Sequence, residues 1–568
     1  MKEQIIEQIK IALGNLGIKA ESILLEHPAD MKMGDYSTNV AMMYAKKLTI
    51  NPRELAEKIK TELENKILEI EKIEVAGAGF INFYINKGFL VNTTKEILEQ
   101  NENWGRNEIL KGKKIMVEYT DPNPFKPFHI GHLMTNAIGE SLSRIISFSG
   151  GNVINANYQG DVGPHVAKAI YGLLKVGMPD ETFSNTQKAQ YIGRCYSDAS
   201  TLYEESDIIK KEIDIINKKI YERSDEKINE VYDWGREVTL QAFEELYKIL
   251  GTKFKYYFFE SVMAPIGLEI VKNNPNIYEE SNGAIVFHGE KYDPKLHTRV
   301  FINSAGLPTY ETKELGLTKT KFEKENLDLS IVVTATEQTD YMRVVEKSIS
   351  LIYPDTASKM KHITHGMMRF ASGKMSSRKG NVVTGESLIR DSIEIVEEKV
   401  KDRDFSEIEK KEIAEKVGIS ALKYSILKSS LGSDIVYDFE KSISFEGDSG
   451  PYLQYTTVRA NSILKKAVDQ GFDNLENKNL ENTEITNLEK LLYRFPEVVS
   501  HSYENLEPHH IANFLTELAS SFNTFYGNTV ILNKDDTQTP YRLQLVSAFY
   551  QTMKNGLNLL GIQTPDKM

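Results

Sequence analysis

Cysteine is almost absent from the sequence, since Cys195 is the only one in 568 residues. A single thiol cannot form an internal disulfide, and it cannot supply a cysteine-rich zinc site. The absence of paired cysteines fits a reducing compartment. The chain is also long enough to bury a sizeable core. The sequence therefore predicts a protein that needs neither disulfides nor zinc for its stability.

Long apolar runs and a surplus of basic residues are missing as well. No stretch of about 18 apolar residues occurs, and charges interrupt the N-terminal MKEQIIEQIKIALGNLGIK, so neither a membrane span nor a signal peptide is predicted. Lys and Arg number 69 against 81 Asp and Glu, a net charge of −12, which argues against a basic nucleic-acid coat protein or a polybasic membrane binder. We expect a soluble, cytoplasmic protein with about three or four domains.

Residues 1–105 are predicted to form a small α+β domain. Apolar residues recur at helical spacing from Ile5, and Pro52 follows Asn51 as a first-turn proline would. Valine, phenylalanine and isoleucine interrupted by glycine predict strands near a turn or bulge at 73–85. The pattern alone fits a plain packing module equally well. The predicted helices span 2–16, 41–47 and 52–62, and GDYSTN at 34–39 is predicted as a loop.

Residues 106–410 are predicted to form an α/β domain with a Rossmann-type parallel sheet. A buried-type strand at 114–120, a helix at 129–148 and a strand at 152–158 make a βαβ unit. LSIVVTA at 329–335 is a further strand. A helical insertion is expected at about 180–300, with a Glu- and Lys-rich helical region at 187–250.

Residues 411–568 are predicted to form an all-α domain. Helical periodicity is found throughout this segment, apart from a polar stretch at 470–485 that is predicted as a loop. The predicted helices span 413–431, 452–467, 487–502, 508–526 and 541–560.

The first motif that carries chemistry is PNPFKPFHIGH, residues 122–132. Its prolines keep the chain extended after a strand, and the helix that begins near His129 offers free N–H groups to a phosphate. His129 and His132 share one helix face, and Gly131 would let a flat base approach the backbone. A metal-binding or core histidine pair is the alternative, although no third ligand with zinc-like spacing lies nearby.

The second motif is GKMSSRKG, residues 373–380. It places Lys374, Arg378 and Lys379 between two glycines, with no acid among them. Such a basic, hydroxyl-bearing loop suits a triphosphate whose charge grows on the leaving pyrophosphate. Alone it could equally be a solvated loop, but its combination with the first motif favours nucleotide chemistry.

The two motifs resemble the HIGH and KMSKS signatures of class I aminoacyl-tRNA synthetases, and segments along nearly the whole chain resemble the arginyl-tRNA synthetase family. These segments are GDYSTN with VAGAGFINF, EYTDPNPFKPFHIGH, GPYLQYTTVRANSIL, EPHHIANFLTELASSFNTFY and LLGIQTPDKM. The resemblance implies a tRNA-contacting N-terminal domain (1–105), a catalytic domain (106–410) and an anticodon-binding domain (411–568). It implies a ligase that activates L-arginine with ATP and transfers it to the 3′-terminal ribose of tRNA(Arg).

The resemblance also implies roles in an ATP site. His129 and His132 would stabilise phosphates, Gly131 would lie near adenine, and Lys374 would contact the departing pyrophosphate. Ser377 replaces the second lysine of KMSKS, so Lys126 is expected to supply part of the missing charge, with Arg378 and Lys379 as rivals. Mg²⁺ is expected to accompany ATP, held mostly by phosphates and water. Further expected ATP-binding residues are Gly163, Met367, Ser376, Ser377 and Arg378.

An arginine pocket is the second site that the resemblance implies. A planar guanidinium needs carboxylates in fork geometry, and Glu118, Tyr310 and Glu314 are assigned to it. Asn123 and Gln338 are assigned to the α-amino and carboxylate end of the substrate. Position 314 is often Asp in the family. The alternative for Glu314 is a surface ion pair with Lys313 or another neighbour, and Asp161, also expected to line the pocket, could equally be a helix cap.

Contacts with tRNA rest on the resemblance alone. Residues 451–568 contain 10 Lys or Arg and 13 Asp or Glu, so their charge does not predict RNA binding. Their aromatic residues could stack on bases, but they fit a helical core equally well. The family suggests a monomer, and no membrane partner is expected. The expected tRNA-binding residues are Tyr36, Asn39, Phe80, Asn82, Tyr452, Tyr455 and Arg459.

Three other functions are weighed against arginine–tRNA ligation. A HIGH-type nucleotidyltransferase that needs no RNA would have no use for the long helical C-terminal region. Retention of both histidines and Lys374 argues against a synthetase-like protein that has lost catalysis. A different class I synthetase is the nearest rival. Cys195 as the lone cysteine argues against its zinc-bearing members, while Glu118 and YETKE (310–314) favour a cationic substrate.

Overall fold

The structure is a computed structural model that describes residues 1–371, 383–472 and 484–568. These residues form two compact units. One unit contains Met1–Trp104, Arg459–Pro496 and Glu517–Asn555, and the other contains Gly105–Val458, Glu497–Thr516 and Gly556–Met568. None of the described helices combines the length and the apolar character that a membrane-spanning helix needs.

The N-terminal residues form an α+β module around an antiparallel sheet with the strand order β1-β3-β2. The Asn51 side chain caps the helix at Pro52, as expected. The prediction of a loop was wrong for residues 36–38, because this segment pairs with β3 and buries Tyr36 against the apolar core. The elements are α1 (Lys2–Asn15), β1 (Tyr36–Thr38), α2 (Val40–Leu48), α3 (Pro52–Leu63), β2 (Ile70–Ala76), β3 (Phe80–Ile85) and α4 (Lys87–Gln100).

The second unit begins with the βαβ unit that the sequence predicts. Its two strands pair in parallel, with Lys114 opposite Asn152 and Glu118 opposite Ala156. The helix between them has a mostly buried surface, as a helix covering a parallel sheet should. The elements are β4 (Lys114–Glu118), α5 (Ile130–Phe148), β5 (Asn152–Gln159) and α6 (Pro164–Val176).

Three long helices follow, and they pack on α6 around a separate apolar core that contains Cys195. The helical region ends at Leu250, and the chain then returns to sheet within the segment expected as a helical insertion. Strands β7, β8 and β9 form a small antiparallel sheet. The elements are α7 (Asn185–Glu205), α8 (Asp207–Glu222), α9 (Glu226–Leu250), β6 (Tyr256–Phe259), α10 (Glu260–Asn273), β7 (Glu279–Ser281), β8 (Ala284–His288) and β9 (Thr298–Ile302).

The central sheet has five strands in the order β11-β10-β4-β5-β6, and every pair of neighbours is parallel. The chain fills one side of β4 and then crosses to the other, so the strand order reverses there. In open α/β sheets such a switch point carries the ligand crevice. The elements are α11 (Tyr310–Lys324), β10 (Leu329–Ala335), α12 (Thr339–Ile352), α13 (Pro354–Ala357), β11 (Met360–His365), β12 (Met368–Phe370), α14 (Gly385–Val400), α15 (Glu407–Leu427), β13 (Ile435–Tyr437) and α16 (Phe439–Ser442).

The described C-terminal residues are mainly helical, as predicted, although Ile435–Tyr437, within the segment expected to be all-α, form strand β13 and pair in parallel with β12. The stretch expected as one helix over 487–502 is two helices, which Tyr493 and Arg494 separate. The elements are α17 (Gly450–Asp469), α18 (Asn487–Leu492), α19 (Phe495–Asn505), α20 (His509–Asn528) and α21 (Thr539–Leu559).

Candidate active site

The residues expected to bind substrate follow the carboxyl ends of different strands of one parallel sheet. Glu118 ends β4, Gly163 follows β5, Gln338 follows β10 and Met367 follows β11. Because the strands are parallel, these positions lie at one edge of the sheet. Tyr310 reaches the same edge by a different route, since it opens α11, the helix that leads back to the start of β10.

The loop between β4 and α5 has an unusual backbone. Thr120, Asp121 and Phe125 all have positive φ, at 81°, 47° and 67°. Non-glycine residues adopt such angles rarely, and they cluster at functional sites where the surroundings hold them. Here the Asp121 carboxylate accepts the Tyr158 N–H at 2.7 Å, and the ring of Phe125 is fully buried. Contacts within the protein therefore support this loop conformation.

The two histidines of the first motif cap their own helix. The N–H of His132 donates to Nδ1 of His129 at 3.3 Å, and the N–H of His129 donates to Nδ1 of His132 at 3.2 Å. The rings stack with their centroids 3.3 Å apart. Since each Nδ1 accepts a hydrogen bond through its lone pair, the neutral ring must carry its proton on Nε2. The capping arrangement thus sets the tautomer in which Nε2–H is available to a ligand.

Electrostatics keeps both histidines neutral. Burial, followed by the Lys126 charge, lowers the pKa of His129 to about 4, although part of this side chain is exposed. Burial, followed by His129 and Lys126, lowers the pKa of the enclosed His132 well below its usual range. Lys126 is therefore near both rings, and its ammonium lies 5.4 Å from the centre of the Tyr196 ring.

Gly131 has a steric role in this arrangement. A Cβ at Gly131 would lie 3.0 Å from Cε1 and Nδ1 of the His129 ring. A side chain there would push His129 out of its capping position. Gly131 is therefore needed to keep His129 in its capping position, independently of its expected role of letting the adenine base approach the backbone.

The second motif lies largely outside the described residues. Lys374, Ser376, Ser377 and Arg378 fall in 372–382, so their expected contacts stay predictions. The chain that follows is close to the first motif: Gly385 N–H donates to the Phe128 carbonyl at 2.8 Å, and a Cβ on Gly385 would lie 2.6 Å from the His129 carbonyl oxygen. The start of α14 therefore fits against the residue that caps α5.

A group of buried acids lies beside the strained loop. Glu118 pairs with Lys321 at 2.6 Å and Glu260 pairs with Lys313 at 2.5 Å, and all four side chains are at least 95% buried. Glu314, expected to bind a guanidinium, is therefore not paired with Lys313. Within the described ranges, Glu314 has no ion-pair partner.

Asp121 is the second unpaired acid in this group. The described residues give it no cationic partner within ion-pair distance. Burial, followed by the Glu118 charge, raises the pKa of Glu314 to about 8 and raises the pKa of Asp121 well above its usual range. A bound cation would favour the ionised form of these two carboxyl groups, so the group is suited to bind one.

The remaining pocket residues have the following positions. Tyr310 and Glu314 lie one turn apart on α11, and Tyr310 is 55% exposed. Gln338 is exposed where β10 leads into α12. Asn123 lies so close to Gly160 that a Cβ on this glycine would be 2.2 Å from Asn123 Oδ1. Among the described residues, no hydrogen bond joins these four side chains to one another.

Asp161 has a structural role. Its carboxylate accepts hydrogen bonds from Ser261 N–H at 2.8 Å, Ser261 Oγ at 2.7 Å, Arg236 Nε at 2.9 Å and the Tyr232 hydroxyl at 3.2 Å. It caps α10, which is distant in sequence, so the helix-cap reading is favoured over a direct substrate contact. Gly163, at φ 129°, caps α6 with a backbone conformation that other residues rarely adopt.

The residues expected to contact tRNA differ in exposure. Tyr36 and Asn82 are buried in the N-terminal sheet, and Asn82 accepts a hydrogen bond from Ser37 Oγ at 2.7 Å, so the structure does not favour these two as tRNA contacts. Asn39 is half-buried. Phe80 and Tyr455 are 44% and 37% exposed.

The helical residues are placed as follows. Tyr452 is half-buried, and the Arg459 guanidinium donates to Asn523 Oδ1 at 2.5 Å and lies 5.2 Å from the Tyr526 ring centre. Of the other aromatics considered for stacking, Phe522 and Phe525 are buried and Tyr526 is exposed.

Sequence reasoning missed Asp121, Glu260, Lys313 and Lys321 as parts of the acidic site. A signal was available for Lys321, because it follows Glu314 by seven positions, two turns along the same face of α11. Asp121 directly precedes the first motif, two residues before the assigned Asn123. No sequence signal links Glu260 to Lys313.

Comparison with known proteins agrees with this arrangement. The family model for the catalytic domain of class I tRNA synthetases (R) matches residues 93–439. The models for the arginyl tRNA synthetase N-terminal domain and the DALR anticodon-binding domain match residues 2–85 and 453–568.

Full-length relatives give the same result. The arginine–tRNA ligases of Clostridium perfringens and Halothermothrix orenii are each 32% identical to the chain, covering 100% of it and 99% of their own length. Two solved arginyl-tRNA synthetase structures share its fold. The structure from Thermus thermophilus has a TM-score of 0.83 and 23% identity, with full coverage of both chains. The structure from Plasmodium falciparum has a TM-score of 0.79 and 22% identity, covering 100% of this chain and 98% of that one. The chain belongs to the arginyl-tRNA synthetase family of class I aminoacyl-tRNA synthetases.

Proposed function

We propose that the protein is an arginine–tRNA ligase. It joins L-arginine to ATP with release of pyrophosphate, and it then transfers the arginyl group to the 3′-terminal ribose of its cognate tRNA. The full-length similarity to arginine–tRNA ligases supports this reaction, and so does the class I catalytic domain.

The observation that carries the choice of amino acid is the surplus of carboxyl groups over lysines in this group, in which Glu118 and Glu260 are buried and Asp121 and Glu314 are half-buried. Lys321 and Lys313 pair with Glu118 and Glu260, which leaves Asp121 and Glu314 for a ligand. A guanidinium is planar, stays charged and can donate to two carboxylates at once. Arginine therefore fits this pocket better than an uncharged amino acid, and its guanidinium is larger and flatter than the ammonium of lysine.

Five residues are proposed to hold arginine. Glu118, Tyr310 and Glu314 bind the guanidinium, and Asn123 and Gln338 bind the α-amino and carboxylate end. The spacing of Tyr310 and Glu314 on one face of α11 supports a joint role. Glu118 already pairs with Lys321, so it contributes through the oxygen that remains or through its negative charge.

The first motif is proposed to act in the activation step. An oxygen of the arginine carboxylate attacks the α-phosphorus of ATP, and the bond from that phosphorus to the bridging oxygen breaks as pyrophosphate leaves. His129 and His132 are neutral and carry Nε2–H, so we propose that they donate hydrogen bonds to phosphate oxygens without acting as acids or bases. Lys126 is proposed to add positive charge beside them.

The remaining ATP contacts are also proposals. Gly131 and Gly163 bring backbone close to the nucleotide, and Met367 lies near the adenine. Lys374, Ser376, Ser377 and Arg378 meet the phosphates and the departing pyrophosphate. The first motif contains no Asp or Glu, so Mg²⁺ would be held mainly by the phosphates and water.

The transfer step requires tRNA on the same protein. A hydroxyl of the terminal ribose attacks the carbonyl carbon of arginyl-adenylate, and AMP leaves. Phe80 and Tyr455 are the proposed tRNA contacts that the structure supports best, because exposed rings can stack on bases, and Arg459 stays a proposed contact as well. The three-domain division at 105 and 410, the monomeric state and the cytoplasmic location stay predictions.

A charging assay tests the proposed function. Purified protein, ATP, Mg²⁺ and tRNA are incubated with labelled arginine or, in parallel, labelled lysine. We expect arginine to become acid-precipitable with the tRNA, with lysine at least about a thousandfold less efficient, because the pocket has buried acids that lysine cannot pair fully. Equal charging with another amino acid, or no charging with any, would refute the proposal.

A further inference from the structure

Three histidines and a glutamate meet where α19 ends and α20 begins, outside the active site. His501 lies on α19, Glu507 is in the connection, and His509 and His510 open α20. The ring centroids of His501 and His510 are 4.3 Å apart, and those of His509 and His510 are 4.1 Å apart. One potential ligand atom from each of Glu507, His509 and His510 lies within 4.8 Å of the others.

The connection that carries these side chains is held by its own backbone. Glu507 N–H donates to the Ser502 carbonyl at 2.9 Å, and Ser502 Oγ donates to the Glu507 carbonyl at 2.7 Å. Leu506 has a positive φ of 56°, and Pro508 restricts the next step. The direction in which Glu507 and His509 leave the backbone is therefore set by the fold.

The contact between Glu507 and His509 is unusual. Oε2 of Glu507 lies 2.5 Å from Nδ1 of His509, and both atoms are shielded from solvent. Neither atom has a hydrogen-bond partner of normal geometry among the described residues. The oxygen and the nitrogen both carry lone pairs, and no well-directed hydrogen bond joins them. Two such atoms would both be able to bind a single cation placed beside them.

We propose that Glu507, His509 and His510 bind one divalent transition-metal ion, with water completing the coordination and the His501 ring lying beside His510. Imidazole with carboxylate is a set that Zn²⁺ and its neighbours Co²⁺ and Ni²⁺ prefer, whereas Mg²⁺ prefers oxygen alone. The scarcity of cysteine excluded only cysteine-bound zinc, so it does not bear on this set.

The geometry requires a small adjustment. Ligand atoms at about 2.0–2.1 Å from zinc in a tetrahedron are about 3.3 Å from each other. Glu507 Oε2 and His509 Nδ1, now 2.5 Å apart, must therefore separate slightly, and the ligand atom of His510 must move closer to them. The start of α20 carries the positive end of a helix dipole, which disfavours a cation, and the Glu507 charge opposes this effect. We therefore expect moderate affinity and a local role, which is to fix the turn between α19 and α20.

Metal titration of the full-length protein tests the proposal. Protein stripped with a chelator is titrated with ZnCl₂ and, separately, with CoCl₂, whose visible absorption reports the ligand geometry. We expect one ion to bind at this site and to raise the melting temperature. His510→Gln and Glu507→Gln should each weaken binding at least about tenfold and abolish the thermal shift.

His297→Gln is the matched control, because His297 is an exposed histidine outside the cluster. This variant should bind zinc as the unmodified chain does. Circular dichroism verifies that each variant folds, and having two cluster variants protects the test if one does not. Zinc affinity and a thermal shift that are unchanged in Glu507→Gln and His510→Gln would overturn the proposal, and so would the absence of binding to the unmodified chain. In that case the cluster is an ordinary histidine–glutamate ion pair.

Discussion

His129 and His132 each accept the backbone N–H of the other through Nδ1, so two side chains cap one helix and fix the same tautomer in both rings. A capping box usually pairs a small hydroxyl or amide residue with Glu or Gln three positions later. Here both positions are imidazoles, which satisfy the helix end with one nitrogen and keep the other nitrogen for a ligand. One pair of residues thus serves folding and binding.

This dual use can be separated by mutation at His132. In His132→Asn the amide oxygen can replace Nδ1, but the donor at Nε2 is lost. In His132→Gln the amide can either place its nitrogen near the Nε2 position or accept the His129 N–H through its oxygen, as in an ordinary capping box, but it cannot do both as the imidazole does. We expect the Asn variant to form arginyl-adenylate about 100-fold more slowly with a near-normal melting temperature.

The Gln variant should keep more activity and lose about 1 kcal/mol of unfolding free energy. Single-turnover kinetics and urea unfolding measure the two effects. Full activity in the Asn variant would show that the Nε2–H donor has no part in the reaction.

Glu314 should make arginine binding depend on pH. In the free protein its pKa is raised to about 8, so at pH 7 it is mostly protonated, whereas a guanidinium favours the carboxylate. Binding must therefore release a proton, and arginine affinity should rise up to about tenfold per pH unit from pH 6 until it levels off above pH 8. The free energy of unfolding of the arginine-free protein should change in the opposite direction. Because the pKa of Glu314 is higher in the folded protein, its contribution to stability is lost as pH rises from 4.5 to 8.

Calorimetric titrations in buffers of different ionisation heat measure the released proton directly. Glu314→Gln should reduce the pH dependence, although Asp121 can still contribute to it, and should weaken binding most at pH 9. Glu323→Gln, an exposed acid on the same helix, is the matched control and should change neither property. Arginine affinity that is constant between pH 6 and 9 would contradict the assignment.

Phe80 and Phe83 offer a clean comparison for tRNA binding, since they lie on one strand with opposite exposure. Phe80 is 44% exposed, whereas Phe83 is fully buried. Phe80→Ala should weaken tRNA binding by about 1–3 kcal/mol, the value of one stacked base, with little change in melting temperature. Phe83→Ala should lose about 3–5 kcal/mol of unfolding free energy through a cavity. Unchanged tRNA affinity in Phe80→Ala would remove this residue from the proposed interface.

Lys126 is expected to assist the ATP-dependent step. Lys126→Ala should slow adenylate formation at least about tenfold, because a positive charge beside the phosphates is lost. Lys168→Ala is a suitable control, since Lys168 also lies over a tyrosine ring, at 4.4 Å from the centre of Tyr203, and is not assigned to the site. An unchanged rate in Lys126→Ala would transfer the role to Arg378 or Lys379.

The sequence predicted those features that depend on local pattern. The strands at Lys114–Glu118 and Leu329–Ala335 are apolar runs of ordinary length, and α5 begins where the histidine motif placed it. The small strand at Tyr36–Thr38 was missed, because three residues carry no periodicity and their conformation comes from pairing with β3.

Side-chain roles were harder to predict, because burial and pairing depend on contacts distant in sequence. Asp161 was expected to line the pocket, yet four donors from α9 and α10 occupy its carboxylate. Tyr36 belongs to a motif that resembles a tRNA-contacting segment, but its ring fills the core. Lys321 on α11 pairs with Glu118 on β4, although the two residues are about 200 positions apart in sequence.

The most direct test of the central claim is ATP–pyrophosphate exchange with each of the standard amino acids, with and without tRNA. The assay detects reversible formation of the adenylate, so it reports the amino acid and the activation step together. We predict exchange with arginine alone among them, and only when tRNA is present. Exchange supported by another amino acid, or none with arginine and tRNA together, would contradict the assignment of this chain as an arginine–tRNA ligase.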